Sequence, residues 1–140
     1  LFAIGDGHAR QGHGEVCGTA VEAAMNTVVA VELIKGVSTP WPRLEDDHHL
    51  MSTGSARPLE DAYRISQHDL VTWASELTGL DQLDAYQLVS QIGEAPVGNV
   101  CDTNYTMVAK LPKSALGRPA VYESAHDRLR ALGRRYLAER

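Results

Sequence analysis

The sequence predicts an α+β fold, with a sandwich-like, β-rich core followed by two or three helices. Residues of high β propensity are concentrated in the first quarter of the chain and again around residues 100–111. Segments whose apolar residues recur at helical spacing lie between these two regions and at the end of the chain. Because strands and helices are segregated, α+β fits better than a βαβ alternation. We expect the β-rich core to be incomplete within this chain.

The N-terminal part is expected to hold strands around a glycine-rich loop. Residues 1–4 are apolar and predict a short strand, whereas residues 5–14 contain four glycines and predict a loop. Residues 15–34 predict a bent hairpin, since the run 28–34 is rich in residues with β propensity. Residues 38–57 are predicted to be irregular, because they combine prolines with a run of charged side chains.

Three helices are predicted after residue 57. Residues 58–77 show a clear amphipathic stripe, and Pro58 suits the first turn, where its missing N–H is harmless. Asp81 is expected to cap a second helix. The side chains predicted to line the buried face of that helix are Leu83, Tyr86, Val89 and Ile92. Residues 93–99 predict a turn, residues 100–111 a strand or hairpin, and residues 124–139 the third helix.

Length, charge and cysteine content limit the class of protein. The 140 residues fit one domain, and the net charge of −5 argues against a nucleic-acid binder, which needs a basic face. The two cysteines are too few for a disulfide scaffold, so we expect a reducing, cytoplasmic setting. We expect no membrane span, because no apolar run approaches about 18 residues. The chain opens on Leu1 within a predicted strand, so we expect either a piece of a longer protein or a non-standard start.

Residues 5–15 carry the densest set of reactive side chains. They hold two carboxylates, two imidazoles, one guanidinium and one amide, separated by glycines. Asp6 and His8 stand two residues apart, so an extended backbone points both to one side, where they could share a cation such as zinc. At least one more ligand must come from elsewhere. Glu15 could orient or deprotonate a water whose pKa a metal lowers to about 7.

Each of these residues also has a structural interpretation. His8 and Asp6 could belong to an ordinary polar turn, and Glu15 could pair with a neighbouring arginine. Cys17 could serve as a nucleophile, although a buried and inert thiol is the commoner case. His49 follows a run of acidic residues and could contribute to a second metal site or to a solvated charged loop.

Residues 5–22 resemble the signature of the acetamidase/formamidase family, G-D-x-H-x-x-Q-G-x-G-E-x-x-G-x-A-x-E. Further blocks follow in the order expected of the C-terminal half of that family, at residues 33–36, 41–43, 49–54, 84–90 and 111–113. The resemblance covers residues 1–116. It therefore implies that residues 1–116 form the C-terminal half of such a domain and that residues 117–140 form a helical tail.

The resemblance implies hydrolysis of small aliphatic amides, such as formamide and acetamide, to a carboxylate and ammonia. It implies that Asp6, His8 and Glu15 are catalytic, while Gln11 and His49 contact the substrate. Asp6 and His8 would be the metal ligands, and zinc is the expected divalent metal. We expect neither a nucleic acid nor a membrane among the partners of this chain.

Two features set the chain apart from the family pattern. His13 stands where an aspartate is expected, and the family's N-terminal half is missing from these residues. We therefore expect either a homo-oligomer or a partner chain that supplies the missing half. An alternative is a non-catalytic fragment or a subunit of a split amidase, active only when a partner completes the site. A thiol amidase that uses Cys17 is a further alternative.

Overall fold

The computed structural model describes residues 4–5, 7–117 and 119–139. The predicted α+β class is confirmed, because these residues form two antiparallel sheets and three α-helices. The strands are β1 (Gly7–Arg10), β2 (Val21–Ala23), β3 (Arg43–Glu45), β4 (His49–Ala56), β5 (Val97–Asn99) and β6 (Tyr105–Pro112). The helices are α1 (Leu59–Thr78), α2 (Gln82–Ile92) and α3 (Ala125–Ala138). β1 and β2 form the small sheet, and the larger one has the order β3-β4-β6-β5.

One of the two inner strands of the larger sheet, β4, lies in a segment that was predicted to be irregular. β4 pairs with β3 on one side and along its whole length with β6 on the other. The prediction was wrong because the side of β4 that faces the core carries few apolar side chains. Its buried positions are Leu50, Ser52 and Gly54, so the alternation that marks a half-buried strand is hidden in the sequence.

Helix α1 packs across β4 and β6 and provides much of the core. The helix was predicted over residues 58–77 and is confirmed, with Pro58 as its N-cap. Gly54 lets the two elements approach closely, since a Cβ at that position would lie 2.4 Å from the Ala62 carbonyl oxygen. The buried core around this contact includes Leu50, Leu70, Val71, Trp73, Ala74, Ala109 and Leu111.

The second and third helices are confirmed, but the predicted buried face of α2 is largely wrong. Asp81 caps α2 by accepting hydrogen bonds from two backbone N–H groups in its first turn. Of the four predicted side chains, Val89 is buried, whereas Leu83 is 73% exposed and Tyr86 and Ile92 are also exposed. The helix is turned so that Ala85 and Val89 face the core. In the described part of the chain, none of the helices has both the length and the apolar content to cross a membrane.

The structure also corrects three further predictions, two of them in the N-terminal part. Residues 7–10, expected to lie in a loop, form β1, and Val97–Asn99 (β5) lies in the predicted turn. Residues 28–34 form no strand, and their apolar side chains are exposed, Val31 by 83% and Leu33 by 78%. No strand in the described ranges pairs with them, and β propensity alone does not hold a strand without a partner. The strand predicted at residues 1–4 falls mostly outside the described residues.

A buried ion pair ties β3 to α1. The carboxylate of Asp69 is 3% exposed and accepts hydrogen bonds from Arg43 Nε at 3.0 Å and Nη2 at 2.7 Å. It also accepts a hydrogen bond of 2.6 Å from the Ser52 hydroxyl. Burial opposes the charged carboxylate, but these hydrogen bonds outweigh it and hold the pKa of Asp69 below its ordinary value. The Arg43 guanidinium also lies 4.8 Å from the ring centroid of Trp73.

Candidate active site

A histidine and a glutamate face each other across the small sheet. His8 in β1 stands directly opposite Glu22 in β2, and the two side chains therefore meet on one face. Their closest approach is 2.9 Å, between Nε2 of His8 and Oε2 of Glu22. The other carboxylate oxygen of Glu22 accepts a hydrogen bond of 3.1 Å from the Ala20 N–H, which fixes the orientation of the carboxylate. The antiparallel register thus creates an imidazole–carboxylate pair from residues 14 positions apart in the sequence.

Glu15 reaches the same place from the turn that follows β1. The short 3-10 turn His13–Glu15 contains Gly14 at φ 83° and ends with Glu15 at φ 45°, both in the left-handed region. The Glu15 carboxylate is 12% exposed, and its Oε1 lies 3.8 Å from Nδ1 of His8. His8, Glu15 and Glu22 each offer one ligand atom, and these atoms all lie within 4.8 Å of one another.

The β5–β6 hairpin holds this turn from the other side. The Val100 N–H donates to the Gly14 carbonyl oxygen at 2.9 Å. A Cβ on Gly14 would lie 2.9 Å from Cγ2 of Val100, so only glycine allows this approach at the observed φ. The Cys101 thiol contacts Oε2 of Glu15 at 4.0 Å, a long and weak hydrogen bond. The shape of the turn therefore depends on residues far away in the sequence.

The three side chains line a cleft of about 480 Å³. Its other lining residues are Val16, Cys17, Gly18, Val100, Cys101 and Asp102. Cys17 was expected to be buried in a strand, but it is exposed in the turn after Glu15. Cys17 is exposed because the backbone leaves β1 and turns at Gly14 and Glu15, both at positive φ, before it reaches Cys17. Both thiols therefore border the cleft.

The structure brings together two of the three predicted catalytic residues. His8 and Glu15 are neighbours in the cleft, whereas Asp6, predicted as both catalyst and metal ligand, lies outside the described residues. Glu22 was not among the predicted catalytic, substrate-binding or metal-binding residues, yet its carboxylate lies 2.9 Å from Nε2 of His8. Only the hairpin register reveals this contact. The sequence offered one signal for this residue, because Glu22 occupies the last position of the family signature that spans residues 5–22.

The two residues predicted to bind substrate lie in different places. The Gln11 amide oxygen is 2.9 Å from Nδ1 of His8, so this side chain belongs to the site. His49 begins β4, where its backbone N–H donates to Oδ1 of Asp46 at 2.6 Å and its Nδ1 lies 3.4 Å from the same oxygen. His49 is not among the residues that border the cleft in the described part of the chain. Its predicted contact with substrate remains a prediction.

The donor set suits a divalent cation with mixed nitrogen and oxygen ligands. One imidazole and two carboxylates within a few ångströms are the combination found in many zinc sites, and they also accept other divalent metals. Two carboxylates beside one histidine carry excess negative charge, which a cation would neutralise. The cleft therefore fits the expected metal, with Glu22 added to the predicted ligand His8.

Three solved structures are similar to this chain in fold and sequence. An acetamidase from Yersinia enterocolitica is 51% identical, with a TM-score of 0.75 over 78% of this chain and 33% of its own. An acetamidase from Bacillus halodurans is 27% identical, with a TM-score of 0.73 over 80% and 38%. A predicted acetamidase/formamidase from Thermoanaerobacter tengcongensis is 30% identical, with a TM-score of 0.72 over 79% and 38%.

The comparisons also show how much of such a protein is present. The chain spans about a third of the length of these solved structures, consistent with the predicted C-terminal part. No family model matches the chain, and no curated protein sequence matches it. The shared fold, the half-identical sequence and the signature around His8 together lead to one conclusion: the chain belongs to the acetamidase/formamidase family.

Proposed function

We propose that this chain supplies the reactive residues of a hydrolase that cleaves the carbon–nitrogen bond of small aliphatic amides, yielding a carboxylate and ammonia. The observation that carries the proposal is the cluster of His8, Glu15 and Glu22 on one cleft. Similarity to two acetamidases and to a predicted acetamidase/formamidase suggests the substrate class, acetamide and formamide. A cleft of about 480 Å³ accommodates such small molecules.

In this proposal, His8 and Glu22 hold a divalent cation, with zinc as the leading candidate and Asp6 as a further ligand. Such a cation supplies Lewis acidity and lowers the pKa of a coordinated water to about 7. Glu15 lies beside this pair with its carboxylate largely shielded from solvent. We assign it the role of general base, which takes a proton from the attacking water and passes it to the departing nitrogen as the carbon–nitrogen bond breaks.

The test combines metal analysis with turnover of formamide and acetamide before and after chelation. Glu15→Gln is expected to lower turnover by about 10²- to 10⁴-fold while zinc binding stays nearly unchanged. Glu22→Gln is expected to lower zinc affinity itself. The exposed Glu139 offers a matched control, since Glu139→Gln should alter neither quantity. Full turnover in metal-free protein would rule out the metal, and full turnover of Glu15→Gln would rule out the assigned base.

A second candidate is that the chain is a subunit or fragment of a split amidase, inactive until a partner completes the site. The segment 28–34 favours it, because this segment carries exposed apolar side chains outside any strand or helix, and a second chain would bury them. The partner could be a second copy or a chain that supplies the N-terminal half. Ammonia release by the purified monomer would eliminate this candidate.

The thiol alternative is tested in the same assay. Cys17 borders the cleft and is exposed, so its thiol is accessible to a substrate. Full turnover by Cys17→Ala would dispose of a nucleophilic role, whereas loss of turnover without loss of zinc would favour it over the metal mechanism.

A further inference from the structure

The side chain of Gln11 connects His8 to the β5 strand. Its amide oxygen lies 2.9 Å from Nδ1 of His8, and its amide nitrogen donates to the Gly98 carbonyl oxygen at 3.3 Å. Gln11 itself is exposed and lies outside the core. The same amide therefore touches the imidazole in β1 and the backbone of a strand 87 residues further along the chain.

The partner in β5 determines which way the Gln11 amide faces. A backbone carbonyl can only accept a hydrogen bond, so the Gln11 group that faces Gly98 must be the amide NH₂. The amide oxygen then has to face His8, and an oxygen without hydrogen can only accept. Nδ1 of His8 must therefore carry the proton of this contact.

We propose that Gln11 is a positioning residue: anchored on the Gly98 carbonyl, it keeps a proton on Nδ1 of His8 and thereby commits Nε2 to the cleft. Nε2 is the nitrogen that lies 2.9 Å from Glu22. Without a metal, Nε2 can donate to that carboxylate, and a cation would replace its proton while Nδ1 keeps its own. This role differs from the substrate contact that the resemblance implies for Gln11.

The hydrogen-bond assignment stands on geometry alone, while its consequence for metal affinity rests on the proposed function. Metal-binding histidines generally donate their second ring N–H to a fixed acceptor, and loss of that acceptor typically lowers affinity about 10- to 100-fold. Gln11→Leu is therefore expected to weaken zinc binding by about this factor. Gln11→Glu keeps an acceptor for Nδ1–H and is expected to recover most of the affinity.

The decisive measurement is ¹⁵N NMR of the histidine rings in the full chain, with and without Zn²⁺. We expect a protected Nδ1–H on His8 in both states, and zinc coordination through Nε2. In Gln11→Leu the Nδ1–H should exchange too fast to be observed, whereas Gln11→Glu should keep it. The exposed Gln91 on α2 provides the matched control, since Gln91→Leu should leave the His8 signals unchanged.

The outcomes separate the inference from the proposed function. An unprotonated Nδ1 in the unmodified chain, or a protected Nδ1–H that survives in Gln11→Leu, would overturn the positioning role. Zinc coordination through Nδ1 would overturn it as well. A chain that binds no zinc but shows the expected Nδ1–H and its loss in Gln11→Leu would count against the metal mechanism while supporting the role of Gln11.

Discussion

Replacing Arg43 by alanine tests how strongly the buried ion pair stabilises the fold. The change leaves the Asp69 carboxylate, 3% exposed, with only the Ser52 hydroxyl as a side-chain partner. Breaking a buried pair in this way typically costs about 3–5 kcal/mol, because the remaining charge is no longer compensated. That is a large part of the total stability of about 5–15 kcal/mol that domains of this size possess.

The chain contains a matched pair on the protein surface. Arg64 and Asp61 approach to 2.9 Å on α1, but their side chains are 70% and 46% exposed. Arg64→Ala removes the same cation at nearly the same distance, and exposed pairs contribute at most about 1 kcal/mol. The comparison therefore contrasts a buried pair, held by two hydrogen bonds, with an exposed pair held by one.

The assay is urea unfolding followed by circular dichroism, with the free energy of unfolding taken from midpoint and slope. We expect Arg43→Ala to lower that free energy by at least about 3 kcal/mol and Arg64→Ala by less than about 1 kcal/mol. Equal losses in the two variants, with unchanged slopes, would refute the reasoning that burial decides the strength of the pair.

Three further predictions follow from the fold. Because the pKa of Asp69 is lowered in the folded state, its stabilising contribution is present above the ordinary carboxyl pKa and is lost as the pH falls through the lowered value. The unmodified chain should therefore lose more stability on acidification than Arg43→Ala, as measured by urea midpoints across the acidic range. Gly54→Ala places a Cβ against the α1 backbone and should lower the free energy of unfolding by at least about 1–3 kcal/mol. Gly133→Ala, whose Cβ meets open space on α3, should raise that free energy by about 0.5–1 kcal/mol. Shifts of the melting temperature that are equal and of the same sign in the two variants would contradict this. Asp81→Ala removes the cap of α2 and should lower the free energy of unfolding by about 1 kcal/mol, and an unchanged unfolding midpoint would show that the cap contributes nothing.

The three helices could be predicted from the sequence, but several strands, including β1, β4 and β5, could not. α1 and α3 have apolar residues that recur at helical spacing, and Asp81 is a capping residue that predicts the start of α2. Two of the three core-facing positions of β4 are Ser52 and Gly54, which are buried by tertiary packing although neither has an apolar side chain. Residues 28–34 show the opposite case, since they have the composition of a strand and no partner in the described ranges.

The candidate site was predicted in part for a similar reason. Glycine spacing and titratable side chains identified His8 and Glu15 because they lie within eight residues of each other. The contact with Glu22 depends on the β1–β2 register, and the bridge from Gln11 depends on Gly98 in another strand. Contacts of this kind depend on how distant strands pair, so no local sequence pattern predicts them.

The dependence of the His13–Glu15 turn on Val100 has a consequence for folding kinetics. The turn and its anchor in the hairpin are separated by more than 80 residues, so closing this contact requires most of the chain to be in place. A glycine-containing turn has little preference for one shape before then. We expect the turn to order late during refolding, and the Val100 N–H to exchange with deuterium sooner than the amides between β4 and β6.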